Sequence, residues 1–169
     1  MIEIIGVNSP NIQLNKSLMK EFTIRNMNKY LFFKIPSAYF SGVRVSKLTD
    51  TEVEATVKYS WRSKNPFKSI YWAVQGMASE LVTGILVMKH IASSGKNISM
   101  LVTHQTADFY KKARGKITFS CKDEQLIKKA VAKTIATGEG QTFDLIAEGF
   151  DEQGDKVSSF MYQWSIKVK

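Results

Sequence analysis

Glu80 is the residue of this 169-residue chain best suited to chemistry. It stands in the longest apolar run, Ile70 to Met88, beside Ala78, Leu81 and Val82. Such neighbours desolvate a carboxylate, push its pKa up and tune its basicity toward neutrality, as a general base or nucleophile requires. The structural alternative is that Glu80 caps or pairs, with Arg62 or a lysine across an interface as the partner, because a lone buried carboxylate is costly. At about 100° per residue, Ser69, Ala73, Gly76 and Gly84 share the Glu80 face of the helix that this run predicts. All four are small. Gly76 and Gly84 lie one turn to either side of the carboxylate, and each costs about 1 kcal/mol relative to alanine in a helix interior. The pattern predicts a close approach there by a substrate, a strand or a second copy of the helix.

The start of the same helix carries a second set of groups. Asn65-Pro66 and Ser69 are the expected caps, and the free backbone N–H groups around Tyr71 to Ala73 would bind an anion or a polarised carbonyl oxygen. Every helix start offers such donors. Here an acid/base group follows about two turns further along, and that combination suits acyl transfer.

Composition narrows the alternatives. Lysine and arginine number 24 against 15 acidic residues, a formal charge of +9 that attracts phosphate-bearing partners and leaves the fold undetermined. The only cysteine, Cys121, excludes an internal disulfide and a cysteine zinc cluster, and reads as a plain strand residue. With His90 and His104 the only histidines, a metal site has little raw material, and none is expected. His104 reads as a hydrogen-bonded structural residue and His90 as a cation at a helix C-terminus. Trp61, Trp72 and Trp164 read as core or interface residues. The opening MIEIIGVNSP lacks the basic region of a signal peptide, so a cytosolic protein is expected. A membrane span over Ile70 to Met88 would put Glu80 near the bilayer centre at about 2.5–3.5 kcal/mol, so a buried helix of a soluble protein is preferred.

The elements that must position Glu80 follow from periodicity. A helix is predicted over Ser17 to Tyr30, with Leu18, Met19, Phe22, Ile24 and Met27 at helical intervals, followed by IPSAYFSG as a connector. Val43 to Leu48 and Thr51 to Tyr59 read as a hairpin, with Val53, Ala55, Val57 and Tyr59 on one face. The long helix is expected from about Ser69 to Ala92, stopping near Gly95. Ile98 to Tyr110 and Lys116 to Cys121 read as strands around the basic turn KKARG. Asp123 to Thr137 reads as an amphipathic helix with Leu126, Ile127, Ala130, Val131 and Ile135 inward. Gln141 to Phe150 and Val157 to Val168 close the chain as a hairpin. The order predicts one α+β domain over residues 1–169, an antiparallel sheet with an apolar helix packed on it, and a helical extension over 1–40.

The run NPFKSIYWAVQGMASELVTG resembles the helix-entry signature of the hot-dog thioesterase superfamily, ADFYKKARGKITFSC its strand, basic turn and strand, and DEQGDKVSSFMYQWSIK its closing hairpin. The resemblance spans roughly residues 40–168 and is closest to poorly characterised bacterial proteins of that superfamily. It implies a hot-dog fold, with the sheet wrapped around the long central helix, and hydrolysis of an acyl-thioester such as acyl-CoA. Coenzyme A then enters as part of the substrate, with no other cofactor. The resemblance implies catalytic roles for Glu80 and Asn65, an oxyanion site at the backbone of Trp72 and Ala73, and substrate contacts at Ser69, Tyr71, Gly76 and Ser79. It also implies a homodimer, or a tetramer of paired dimers, with active sites between protomers. Departures are Tyr71 where the family often has histidine, Lys68 in place of a common glycine, and the large Trp72 and Gln75. Lys111, Lys112, Arg114 and Lys116 would clamp the phosphates of coenzyme A, or else are solvated charges. A non-catalytic acyl- or lipid-binding module is the alternative function. Nucleic acid is disfavoured, since no recognition helix, zinc module or aromatic strand platform is present.

Overall fold

The helix that carries Glu80 is apolar on nearly all sides, and it therefore becomes the axis around which the chain wraps. In the computed structural model, which describes residues 22–169, this helix, α3, spans Trp72–Ser93 and buries Val74, Ala78, Leu81, Val82, Ile85 and Leu86. The opening segment MIEIIGVNSP, with Leu18 and Met19 of the expected first helix, lies outside the described residues.

Two helices precede the sheet, α1 (Ile24–Lys34) and α2 (Pro36–Phe40). The first begins and ends later than the expected Ser17 to Tyr30, and Thr23 fixes its start by accepting a hydrogen bond from the Asn26 N–H at 3.2 Å. The expected connector after it is itself helical. Pro36 occupies the first turn of α2, where its fixed φ and missing N–H favour a helix start.

The strands are β1 (Arg44–Leu48), β2 (Val53–Lys58), β3 (Ile98–Phe109), β4 (Lys116–Cys121), β5 (Gln141–Phe150) and β6 (Lys156–Val168). They form one antiparallel sheet in the order β1-β2-β4-β5-β6-β3. Alternation places Val53, Ala55 and Val57 of β2 in the core, and Phe160, Tyr162, Trp164 and Ile166 of β6 with them. Periodicity recovers both faces. It does not recover the path between β3 and β4. These strands are consecutive in sequence but not neighbours, since β3 pairs with β6 at one edge while β4 lies between β2 and β5. Residues 110–115 are therefore a crossing over the end of the sheet.

Helix α4 (Glu124–Thr137) presents Ile127, Ala130, Val131 and Thr134 as its buried row. Leu126 was expected inward and is 45% exposed, because one residue is a rotation of about 100° off that row.

Candidate functional site

Three polar residues on α3 set how the helix is rotated against the sheet. Gln75, Ser79 and Thr83 recur every four residues on one buried face, and each meets β6. The Ser158 hydroxyl donates to Gln75 Oε1 at 2.9 Å, Ser79 Oγ lies 2.8 Å from the Tyr162 hydroxyl, and Trp164 Nε1 donates to Thr83 Oγ1 at 3.1 Å. The Tyr162 hydroxyl also donates to the Gly76 carbonyl at 3.1 Å. Buried polar groups satisfied in this way specify a single orientation. Glu80, one residue on from Ser79, is thereby turned away from this row. Ser79, an expected substrate contact, is fully buried, and its hydroxyl meets Tyr162 and the Gly76 carbonyl.

The Glu80 carboxylate has no hydrogen bond or ion pair among the described residues, and burial alone pushes it above the ordinary carboxylate range. Arg62, the partner considered from sequence, is exposed on the loop before α3 and does not pair with it. Sequence reasoning missed Tyr30 of α1. Burial first and the charge of Glu80 second raise the Tyr30 phenol, and Tyr162 is raised by the same two causes. Fifty residues separate Tyr30 from Glu80, so no local pattern could have linked them.

The glycines beside Glu80 are approached by β6, the strand among the three alternatives. A Cβ built on Gly76 would lie 3.9 Å from Phe160 and 4.0 Å from the Tyr162 hydroxyl. One on Gly84 would lie 3.4 Å from Glu80 Oε1 and 3.5 Å from the Trp164 ring. These are ordinary contacts, so Gly76→Ala is expected to stabilise the protein by about 0.4–1 kcal/mol through the chain entropy that glycine forfeits. Urea denaturation would show a raised midpoint, and a lowered one would mean that the face is closed more tightly than β6 alone closes it.

The helix start differs from expectation in its caps. Tyr71 is the N-cap and makes no side-chain cap bond. Asn65 and Ser69 are spent elsewhere. Asn65 Oδ1 accepts from the N–H groups of Phe67 at 3.0 Å and Ser69 at 3.2 Å, and Ser69 Oγ donates to the Ala113 carbonyl at 3.2 Å. Ser69 precedes α3 and so drops out of the small-residue face, leaving Ala73, Gly76 and Gly84 there. The Tyr71 N–H bonds to the Ser63 carbonyl at 2.7 Å, whereas nothing among the described residues accepts from Trp72 N–H or Ala73 N–H. Of the donors expected around Tyr71 to Ala73, the structure thus leaves the last two unclaimed and engages the first. Ala73 and Glu80 share one helix face, seven residues or about 10 Å apart along the axis.

The basic turn divides into engaged and free cations. Lys111 Nζ lies 2.6 Å from Asp151 and 2.6 Å from Asp155, and these bonds raise its pKa. It ties the crossing to the β5–β6 turn. Lys112 and Arg114 are exposed and unpaired among the described residues. His104 is exposed on β3 and has no hydrogen-bond partner there, contrary to its structural reading. His90 is corrected as well: burial and then Lys128 lower its pKa, which favours the neutral ring over the expected cation. Cys121 is buried and its thiol is pushed up to about 12, which makes it a poor nucleophile. Of the tryptophans only Trp164 is core; Trp61 is 82% and Trp72 55% exposed.

A family model described as a domain of unknown function, DUF4442, matches residues 25–166. Among solved structures, the chain is similar to a protein of unknown function and probable thioesterase from Pseudomonas aeruginosa, at 21% identity and a TM-score of 0.73 over 86% of this chain and 96% of that one. A thioesterase from Haemophilus influenzae is similar at 15% identity and a TM-score of 0.66, covering 88% of this chain and 92% of the other. A protein of unknown function from Chlorobaculum tepidum is similar at 13% identity and a TM-score of 0.74, over 86% and 94%. No curated protein sequence matches significantly.

Proposed function

The chain belongs to the DUF4442 domain family and has the hot-dog fold, and on that premise we propose that it hydrolyses an acyl thioester, with acyl-CoA as the substrate class. The observation that carries this reading is one helix bearing both an unpaired, largely buried carboxylate and two unclaimed backbone donors in line with it. Thioesterases among the similar structures support it.

Glu80 takes a proton from water, and the hydroxide so formed attacks the thioester carbonyl carbon. The N–H groups of Trp72 and Ala73 stabilise the oxygen that becomes negative. As the tetrahedral intermediate collapses, the C–S bond breaks and the departing thiolate takes the proton back from Glu80, leaving a carboxylic acid and coenzyme A. Each interaction needs contact near 3 Å, whereas the two groups are about 10 Å apart on one helix. Glu80 acts on the water and the donors on the carbonyl oxygen, so the two must come closer together than one helix holds them. Two copies resolve the distance, with the donors of one protomer facing Glu80 of the other. The edge strand β3 supports such a pairing: it is 12 residues long, hydrogen-bonded on one side only, and carries Leu101 at 65% exposure.

In this reading Lys112 and Arg114 bind the coenzyme A phosphates, while Lys111 ties the crossing to the β5–β6 turn. Lys112→Ala and Arg114→Ala are expected to raise KM for acyl-CoA several-fold without changing Tm. Lys111→Ala is expected to lower Tm. The reverse pattern would remove the phosphate role. The reading as a whole is tested with a panel of acyl-CoAs of graded chain length. Turnover supports hydrolysis, and thermal stabilisation by acyl-CoA without turnover would instead identify a binding module.

A further inference from the structure

The two most exposed aromatic side chains among the described residues are Trp61 at 82% and Phe67 at 71%, and both stand on the loop between β2 and α3. Neither ring stacks on another ring or on a cation. The loop that carries them is tied down at several points. Ser63 Oγ donates to the Lys58 carbonyl at 2.7 Å, Asn65 Oδ1 holds the N–H groups of Phe67 and Ser69, and Lys64 bridges to Ile70. Lys68 is held at a positive φ of 59°, the left-handed region that costs a non-glycine residue energy. A rigid loop that spends strain to hold two large apolar rings in water is built for contact with something outside the chain.

Charge identifies the kind of partner. From Ala55 to Ser79 there is no aspartate or glutamate, while Lys58, Arg62, Lys64 and Lys68 are all present. The neighbouring crossing, joined to this loop by the Ile70 N–H to Ala113 carbonyl bond at 2.8 Å, adds the free cations Lys112 and Arg114. On the β5–β6 turn beside that crossing the carboxylates are engaged, Asp151 and Asp155 by Lys111, and Glu152 by the Lys116 N–H at 3.2 Å, which leaves Asp108 as the one carboxylate adjoining the crossing in sequence. Aromatic rings flanked by lysine and arginine match the interface of an anionic bilayer, where rings lodge at headgroup depth and cations meet lipid phosphate. For single-stranded nucleic acid, aromatic platforms space successive bases along a groove, whereas Trp61 and Phe67 project from a loop.

We propose that the loop over residues 60–68 docks this protein on anionic lipid surfaces, with Trp61 and Phe67 entering the interface and Arg62, Lys64 and Lys68 binding lipid phosphate. The proposal stands apart from thioester hydrolysis, since a protein without turnover would dock equally.

Sedimentation of the full chain with vesicles tests it. The wild type is expected to pellet with mixed phosphatidylglycerol and phosphatidylcholine vesicles and to stay in solution with phosphatidylcholine alone. Arg62→Gln and Lys64→Gln should each weaken partition about fivefold, and Trp61→Ser with Phe67→Ser should abolish pelleting while leaving Tm unchanged. Vesicles should also shift tryptophan emission to the blue, an effect lost in Trp61→Ser. The proposal is overturned if the wild type fails to pellet with the anionic vesicles, if neutral vesicles pellet it as well, or if the variants behave as wild type. Displacement from vesicles by single-stranded RNA at lower concentration would overturn it in favour of nucleic acid. Dissociation of an oligomer by the aromatic variants would make the loop an interface between copies.

Discussion

Glu80→Gln is expected to lower the rate of acyl-CoA hydrolysis by about 10²–10⁴-fold, the span attributed to a positioned general base, while the protein folds as before. Glutamine keeps the size and shape of the side chain and removes only its capacity to take a proton. Because no described side chain pairs with the carboxylate, the change leaves no orphaned partner behind. Equal rates for the two proteins would remove Glu80 from the mechanism. The same variant has a signature in stability. Burial raises the folded-state carboxyl above its ordinary value of 4.5, so the folded protein holds this proton more tightly than the unfolded chain does. Below that ordinary value both states are protonated and the contribution is fully present. It is lost as pH rises through the folded-state value. The wild type should therefore match Glu80→Gln in acid and fall below it in Tm toward neutral pH. A structural ion pair would give the opposite order at neutral pH. In wild-type kinetics, kcat/KM should rise with pH through a value above the ordinary carboxylate range.

Phe119→Ala should cost about 3–5 kcal/mol in urea denaturation, as large aromatic truncations in a closed core do. Phe119 is wholly buried on β4 and faces Gly149 across the β4–β5 ladder. Its ring fills the space where a side chain would stand, since a Cβ on Gly149 would come within 2.5 Å of Phe119 Cε1. Gly149→Ala should thus also destabilise, by about 1–3 kcal/mol, through overpacking. The consequences reach the site by contact. Phe119 packs edge-on against Phe160 at 6.0 Å, Phe160 stacks on Tyr162 at 6.2 Å and 7°, and the Tyr162 hydroxyl meets Ser79 on α3. A loss below about 1 kcal/mol would mean that the cavity collapses and the chain of contacts is slack.

Much of the fold was legible because side-chain periodicity reports which face of an element is buried. The alternation of Val53, Ala55 and Val57 and that of Phe160, Tyr162, Trp164 and Ile166 identified two strands and their inner faces. The apolar run around Glu80 identified the central helix, and the one carboxylate within it is the buried group proposed above as the base. The resemblance of the helix entry supplied the architecture. Asn65 and Ser69 were less legible. Asparagine and serine before a helix read as caps, yet the loop uses Asn65 Oδ1 for Phe67 and Ser69 and the crossing takes Ser69 Oγ. Both choices are hydrogen bonds of similar worth, and sequence spacing does not separate them.

By itself, then, the sequence determined most of the elements and their inner faces, the desolvated carboxylate and the helix-start donors two turns before it, all properties that depend on neighbours within a few residues. Tertiary structure alone decided that β3 pairs with β6 and leaves its other edge open, that β6 is what approaches Gly76 and Gly84, and that Tyr30 lies within the field of Glu80. It also decided that Lys111 is a tie and Lys112 and Arg114 are free. These are contacts between residues tens of positions apart, set by which buried faces and charges meet when the sheet closes around α3, and local pattern carries no record of that choice.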